Sequence, residues 1–254
     1  MILSRISRAV DGMRNVQQQP YPVLWSFRRC PYAMRARLAI HASQHLVYLR
    51  EIKLRDKPAE FLAASKKATV PVLVLTNGQV IDESRDIMLW ALQQSDPHGW
   101  LNVWQVDPDF CHAFFDRLDG PFKQQLDHYK YASRFEADVG QQNRADAGVF
   151  LTEIDQRLGS ATGYLSGANF GVLDAAALPF VRQFRGVDEI WFDAQPWPHL
   201  HRWLGAFLAS AGFAAVMRKY PPWQPADKAI LFPAQAAWAS VLRYSRPVGD
   251  VINP

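Results

Sequence analysis

The segment Val23-Leu24-Trp25-Ser26-Phe27-Arg28-Arg29-Cys30-Pro31-Tyr32-Ala33 decides how the first third of the chain is read. Val23 to Phe27 is a short β-prone run. Pro31 suits the first position of a helix, where its missing N–H would have no partner in any case. Ala33, Ala36 and Ile40 then recur at helical spacing, flanked by Met34 and Leu38. A strand therefore hands over to a helix at Cys30. Working outward, Leu46 to Ile52 is a second run of strand length, and Lys57 to Leu62 opens a short helix with a proline near its start. Val70 to Leu75 reads as a buried strand. Asn77-Gly78 separates it from Val80-Ile81, and this dipeptide tolerates the positive φ angles of a tight hairpin. Asp82-Glu83-Ser84 introduces a helix through Ile87, Met88 and Ala91, with Ser84 as the expected N-cap.

Strand, helix, strand, helix, hairpin, helix is a βαβ unit followed by ββα. That order excludes a doubly wound sheet and gives the thioredoxin-like arrangement. Beyond Asp107-Pro108 strand signals vanish. Phe110–Leu118, Lys123–Phe135, Ala145–Leu158, Leu173–Phe184 and Leu200–Leu208 read as helices, and Pro225–Leu242 reads as a further helical stretch. The expected fold class is α/β plus all-α. An N-terminal extension covers 1–20, a thioredoxin-like domain 21–95, a linker 96–107, and an all-helical domain with a C-terminal tail 108–254. Ile2, Ile6, Val10 and Met13, interleaved with arginines, allow a transit peptide, but Asp11 favours a plain extension.

The composition is that of a packed globular chain: 254 residues, 49% apolar and 20% charged. No apolar run reaches the roughly 18 residues that a membrane span needs. The net charge of +4 is scattered, which argues against a nucleic-acid partner. The tightest basic cluster is Arg28, Arg29, Arg35 and Arg37. Composition alone reads it as a solubilising surface, whereas its position around a cysteine points to a small anion or a thiolate. Two cysteines, Cys30 and Cys111, are too few for a disulfide framework, so a reducing, cytoplasmic setting is expected.

Cys30 carries the chemistry. A cysteine at a helix N-terminus meets unpaired N–H groups and the positive end of the helix dipole. Such settings lower a thiol's pKa to roughly 3.5–7.5 and favour the nucleophilic thiolate.

Three ordered motifs, Ser26 to Ala33, Thr69-Val70-Pro71-Val72-Leu73 and Asp82-Glu83-Ser84, resemble the glutathione transferase superfamily. Cys30-Pro31-Tyr32 is similar to its cysteine-type, omega-like members and to the glutaredoxins. The resemblance implies a thioredoxin-like glutathione-binding domain with Cys30 as the catalytic residue. It implies that Phe27, Lys57, Val70, Pro71, Glu83 and Ser84 hold glutathione. Pro71 would follow a cis peptide bond and leave the Val70 backbone to pair with the cysteinyl unit. Glu83 and Ser84 would take the γ-glutamyl end, and Lys57 the glycyl carboxylate. Glutathione is then a substrate beside an electrophilic or disulfide co-substrate, and a homodimer is an assembly the resemblance allows.

Two departures stand out. Ala33 occupies the place of a resolving cysteine, so a mixed disulfide on Cys30 would need a second glutathione. Gly171 precedes Asp174 where a capping serine or threonine is usual, so half of a reciprocal capping box is missing. His199-Leu200-His201 lacks the ligands to complete a metal site, and no metal is expected. Cys111, on a face with Phe110, Phe114 and Phe115, reads as packing or pocket lining. The leading function is glutathione-dependent thiol transfer or reductive deglutathionylation by a monothiol mechanism. Conventional conjugation to electrophiles is the alternative within the enzyme class, and a non-enzymatic glutathione- or ligand-binding protein the alternative outside it.

Overall fold

The structure, a computed structural model, describes residues 20–131, 137–160 and 163–234. All of the N-terminal extension but its last residue, Pro20, lies outside them. The fold is a thioredoxin-like sheet-and-helix unit followed by a helical unit. Strand β1 (Val23–Ser26) leads into α1 (Pro31–Ser43), β2 (Val47–Glu51) and the short α2 (Ala59–Ala64). The hairpin strands β3 (Val72–Val74) and β4 (Val80–Ile81) come next, and then α3 (Ser84–Gln94). β1 pairs parallel with β2, with Ser26 opposite Glu51, and antiparallel with β3; β4 pairs antiparallel with β3. The hairpin turns at Gly78, whose φ is 86°, while Asn77 Oδ1 accepts from the Gln79 amide at 2.9 Å. Cys30 is the residue before the first turn of α1, and its φ of −76° and ψ of 123° are extended.

Helices continue with α4 (Asn102–Val106), which falls inside the segment expected as a linker, and α5 (Pro108–Arg117). A single π turn at Leu118–Phe122 joins α5 to α6 (Lys123–Lys130), so the two expected helices run on as one bent rod. Pro121 lies within that turn. Its ring cannot take part in an α-helical ladder, and one extra residue per turn accommodates it. The stretch 132–135, expected to extend this helix, lies outside the described residues. α7 (Ala137–Gly159) begins eight residues earlier than the apolar spacing indicates. α8 (Val172–Arg185), α9 (Glu189–Asp193), α10 (Pro198–Leu208) and α11 (Ala211–Val216) complete the helical unit.

α8 is the buried centre of that unit, with Val172 to Val181 all buried. The missing half of its capping box is supplied from outside the helix: Ser166 Oγ accepts from the Leu173 amide at 3.1 Å. The Asp174 carboxylate accepts from Gly171 N at 3.1 Å, Leu165 N at 2.9 Å, Ser166 N at 3.1 Å and Trp203 Nε1 at 2.9 Å. A Cβ on Gly171 would sit 2.6 Å from Ser166 Cβ and 3.1 Å from the Trp100 carbonyl oxygen. Glycine is thus required where the usual pattern has serine or threonine.

The tail corrects the sequence expectation over its described part; residues 235–242 of the expected helix lie outside the described residues. Residues 225–234 do not form a helix. They turn back to the first unit, and Leu231–Phe232 becomes β5, antiparallel to β2. The sheet order is β4-β3-β1-β2-β5. On the way, the Trp223 amide donates to the Glu51 carbonyl at 2.7 Å. The Trp223 ring meets Trp25 edge-on at 5.0 Å, and the Arg50 guanidinium stacks over both rings, at 4.3 and 4.8 Å. The apolar pairing of a two-residue strand with an edge carries no periodic signal of its own.

Candidate functional site

Cys30 opens onto a cavity of about 660 Å³ between the two units. Lys57, Val70, Pro71, Glu83 and Ser84 line it, so six of the seven residues singled out in the sequence, Cys30 included, share one space. The seventh, Phe27, is not among the lining residues. It packs beside Cys30 in the apolar cluster of Trp25, Phe61 and Val72, and its carbonyl accepts from the Cys30 amide at 3.0 Å. The Val70–Pro71 bond is cis, and the Cys30 thiol donates to the Val70 carbonyl at 3.6 Å.

Arg35, one turn into α1, belongs to the basic cluster noted in the sequence, but its bonds to Ser84 and Asp119 are what sequence reasoning missed. It is 1% exposed. Its Nε and Nη2 donate to Ser84 Oγ at 3.0 and 2.8 Å. Nη1 and Nη2 reach both Asp119 oxygens at 2.7 and 2.8 Å. The guanidinium is stacked among Tyr32, Phe115 and Phe180, at 5.0–5.5 Å. Asp119 sits on the π turn, so that turn aims a carboxylate of the helical unit at α1. Ser84 is the first residue of α3 and not its cap. Its oxygen accepts from Arg35, which leaves the hydroxyl proton to point elsewhere. Arg37 is fully buried as well. Two members of the basic cluster are therefore core residues, contrary to the surface reading that composition favours.

Glu83 is exposed and ion-paired with Lys67 at hydrogen-bonding distance. Arg85 pairs with Asp116 at 3.0 Å on the far wall. Lys57 has no ion pair among the described residues. The cavity lining thus carries Lys57 together with the carboxylates of Glu83 and Asp116, charges of both signs such as a zwitterionic ligand can meet.

The electrostatics of Cys30 differ from the expectation. Burial pushes the thiol up, and the Ala33 and Tyr32 amides, Lys123 and Arg37 oppose this without reversing it. The helix N-terminus is in place, but the loss of water outweighs it. Burial, followed by the charge of Asp119, pushes Tyr32 up to about 12, so its ring is a neutral wall of the cavity. Cys111 is fully buried in α5, and burial raises it to about 11. Among the described residues, no group of three or more His, Cys, Asp or Glu could hold a metal ion, and no helix is long and apolar enough to cross a membrane.

Comparison with known proteins agrees with this fold. The family model described as glutathione S-transferase, N-terminal domain, matches residues 24–99, and that of the C-terminal domain matches residues 144–206. Together they span more than half of the chain. No curated protein matches it. Among solved structures, the Tau class glutathione S-transferase of mango, Mangifera indica, is 22% identical with a TM-score of 0.64; the match covers 78% of this chain and 93% of that one. Glutathione transferase Omega 3C of Trametes versicolor is 18% identical with a TM-score of 0.65, over 84% and 96% of the two chains. A family member from Pseudomonas fluorescens, solved with two glutathione molecules bound, is 15% identical with a TM-score of 0.64, over 78% and 92%. At these identities the structural likeness is one of fold, and the matched family models carry the assignment: this chain belongs to the glutathione S-transferase family.

Proposed function

We propose that the protein is a glutathione-dependent thiol transferase of the cysteine type, with Cys30 as its nucleophile. The observation that carries this reading is a cysteine hydrogen-bonded to the Val70 carbonyl, next to a cis Val70–Pro71 bond, on a cavity also lined by Lys57, Glu83 and Ser84. The γ-glutamyl carboxylate accepts a hydrogen bond from the Ser84 hydroxyl, which Arg35 orients, and the α-ammonium meets Glu83. The cysteinyl unit lies along Val70, and Lys57 takes the glycyl carboxylate. The Cys30 thiolate attacks the glutathione sulfur of a mixed disulfide, forms Cys30–S–SG and expels the other partner as its thiolate. A second glutathione thiolate then attacks the same glutathione sulfur, releasing glutathione disulfide and the Cys30 thiolate. Ala33 leaves no neighbouring thiol to do this, and Cys111 is buried in another helix.

One observation favours conjugation as a second reading. A Cys30 held up by burial is a thiol that can donate a hydrogen bond to a bound glutathione thiolate without forming a covalent bond. Cys30→Ser separates the two. Under the first reading, reduction of hydroxyethyl disulfide by glutathione disappears. Under the second, that activity was never present, and conjugation to an aryl halide survives the substitution. Full disulfide reduction by Cys30→Ser would overturn the proposal, and neither activity in the parent would point to a ligand-binding protein.

A further inference from the structure

Beneath Cys30 lies a charge pair that the reaction above does not use. Arg37 is on α1, seven residues past Cys30. This is two turns, or about 10 Å, along the same face, and helical side chains lean back toward the N-terminus. The Arg37 guanidinium is fully buried, and its three nitrogens have no hydrogen-bond partner among the described residues. Its one counter-charge among those residues is Glu51, with Oε2 at 3.6 Å from Nη1. Glu51 stands at the end of β2, opposite Ser26, and its other oxygen accepts from the Arg28 amide at 2.5 Å. The pair is therefore built into the turn that delivers Cys30.

We propose that Arg37 and Glu51 are positioning residues for the thiol chemistry: the Arg37 guanidinium favours negative charge on the Cys30 sulfur, and Glu51 limits how much of that field the sulfur feels. The inference rests on the reading of Cys30 as the reactive thiol. Other charged or titratable groups around Cys30 and the pair are Tyr32 and Arg35 on α1, Arg28 in the turn, and Lys123 on α6. Asp119 on the π turn, Arg182 on α8 and Tyr220 in the C-terminal segment complete the set. Arg35 is already matched by Asp119 and Lys123 by Asp127. Arg37 differs because its ion-pair partner is buried with it and accepts from the Arg28 amide in the turn before Cys30. Burial pushes Glu51 up and Arg37 down, while each opposes the shift of the other, so the balance is sensitive to the loss of either.

The test is the pH profile of Cys30 alkylation by iodoacetamide between pH 7 and 11, read at Cys30 by mass spectrometry on the full chain. Glu51→Gln keeps an oxygen for the Arg28 amide and removes the compensating charge. The alkylation midpoint should fall, raising the rate at pH 7 about three- to tenfold, where tenfold corresponds to one pKa unit. Arg37→Met should raise the midpoint and lower the rate by a similar factor, and Arg37→Lys, which keeps the charge, should stay near the parent. A loosened turn would expose Cys30 in both charge-removing variants and shift both profiles the same way. That result, unchanged profiles, or an Arg37→Lys profile matching Arg37→Met would overturn the proposal. The measurement needs no glutathione, so a failure of glutathione turnover is seen separately.

Discussion

Gly171→Ser restores the residue type expected at the start of α8, and it should destabilise the protein. The new Cβ would lie 2.6 Å from Ser166 Cβ and 2.7 Å from Ser166 Oγ, whatever rotamer the serine adopts. Ser166 cannot retreat freely, because its hydroxyl and amide are bonded to the Leu173 amide and the Asp174 carboxylate. The Trp100 carbonyl, 3.1 Å away on the other side, is fixed by the Val172 amide. Overpacking of this kind costs about 1–3 kcal/mol, and a lost Ser166–Leu173 hydrogen bond adds about 1 kcal/mol. The expected loss is about 2–4 kcal/mol, a drop in Tm of about 5–15 °C for a chain of this size. Calorimetry and urea titration would measure it. Gly171→Ser combined with Ser166→Gly removes the clash and lets the introduced hydroxyl cap its own helix, so it should regain more than half of the loss. A single variant as stable as the parent, or a double variant no better than the single, would refute the argument.

Arg35→Gln should weaken glutathione binding by about 1.5–3 kcal/mol, the scale of a charged hydrogen bond. Arg35→Lys should not restore it, since an ammonium cannot bridge Ser84 and Asp119 in a fork; calorimetric titration on folded variants decides. Because burial raises Cys30 above its ordinary range, its thiolate appears only as pH climbs through that raised value. Alkylation of the unliganded protein should rise about tenfold per pH unit from 7 with no plateau below pH 9, and a plateau near neutrality would contradict this. Cys111 should react with iodoacetamide only after denaturation, as mass spectrometry of native and urea-treated protein can establish. Trp223→Ala removes the half-buried ring against Trp25 and Arg50 and should cost about 1–3 kcal/mol, less than a fully buried core site. Urea unfolding that shows no loss would contradict a stabilising role for this contact.

Much of this architecture is legible along the chain because local rules govern it. Cys30-Pro31 marks a strand meeting a helix, Asn77-Gly78 a hairpin, and the apolar spacings place α1, α3, α5, α8 and α10 to within a few residues. Cys30, Val70, Pro71, Glu83 and Ser84 of the candidate cavity are legible from the three ordered motifs. The rest depends on partners distant in sequence. Arg35 and Arg37 look like surface charges because nothing near them reveals that Asp119, 84 residues on, and Glu51 close over them. Ser84 has the local profile of an N-cap, yet its oxygen is bound by Arg35. Gly171 reads as a weak cap, since Ser166, which serves in its place, is reached only once the loop has folded. The direction of the Cys30 shift is hidden for a related reason. A helix dipole can be read from a boundary, whereas burial is a property of the whole packing.

The β5–β2 pairing also has a temporal side. β2 is complete at residue 51, but the strand that covers its outer edge is some 180 residues further along the chain. While the protein is being synthesised, that edge presents unpaired N–H and C=O groups for most of translation, the kind of surface through which nascent chains associate wrongly. At about 5–20 residues per second, the interval is on the order of ten seconds or more. The edge would thus be closed last, by a segment made after every described helix, and chaperone dependence would be expected to concentrate in that window.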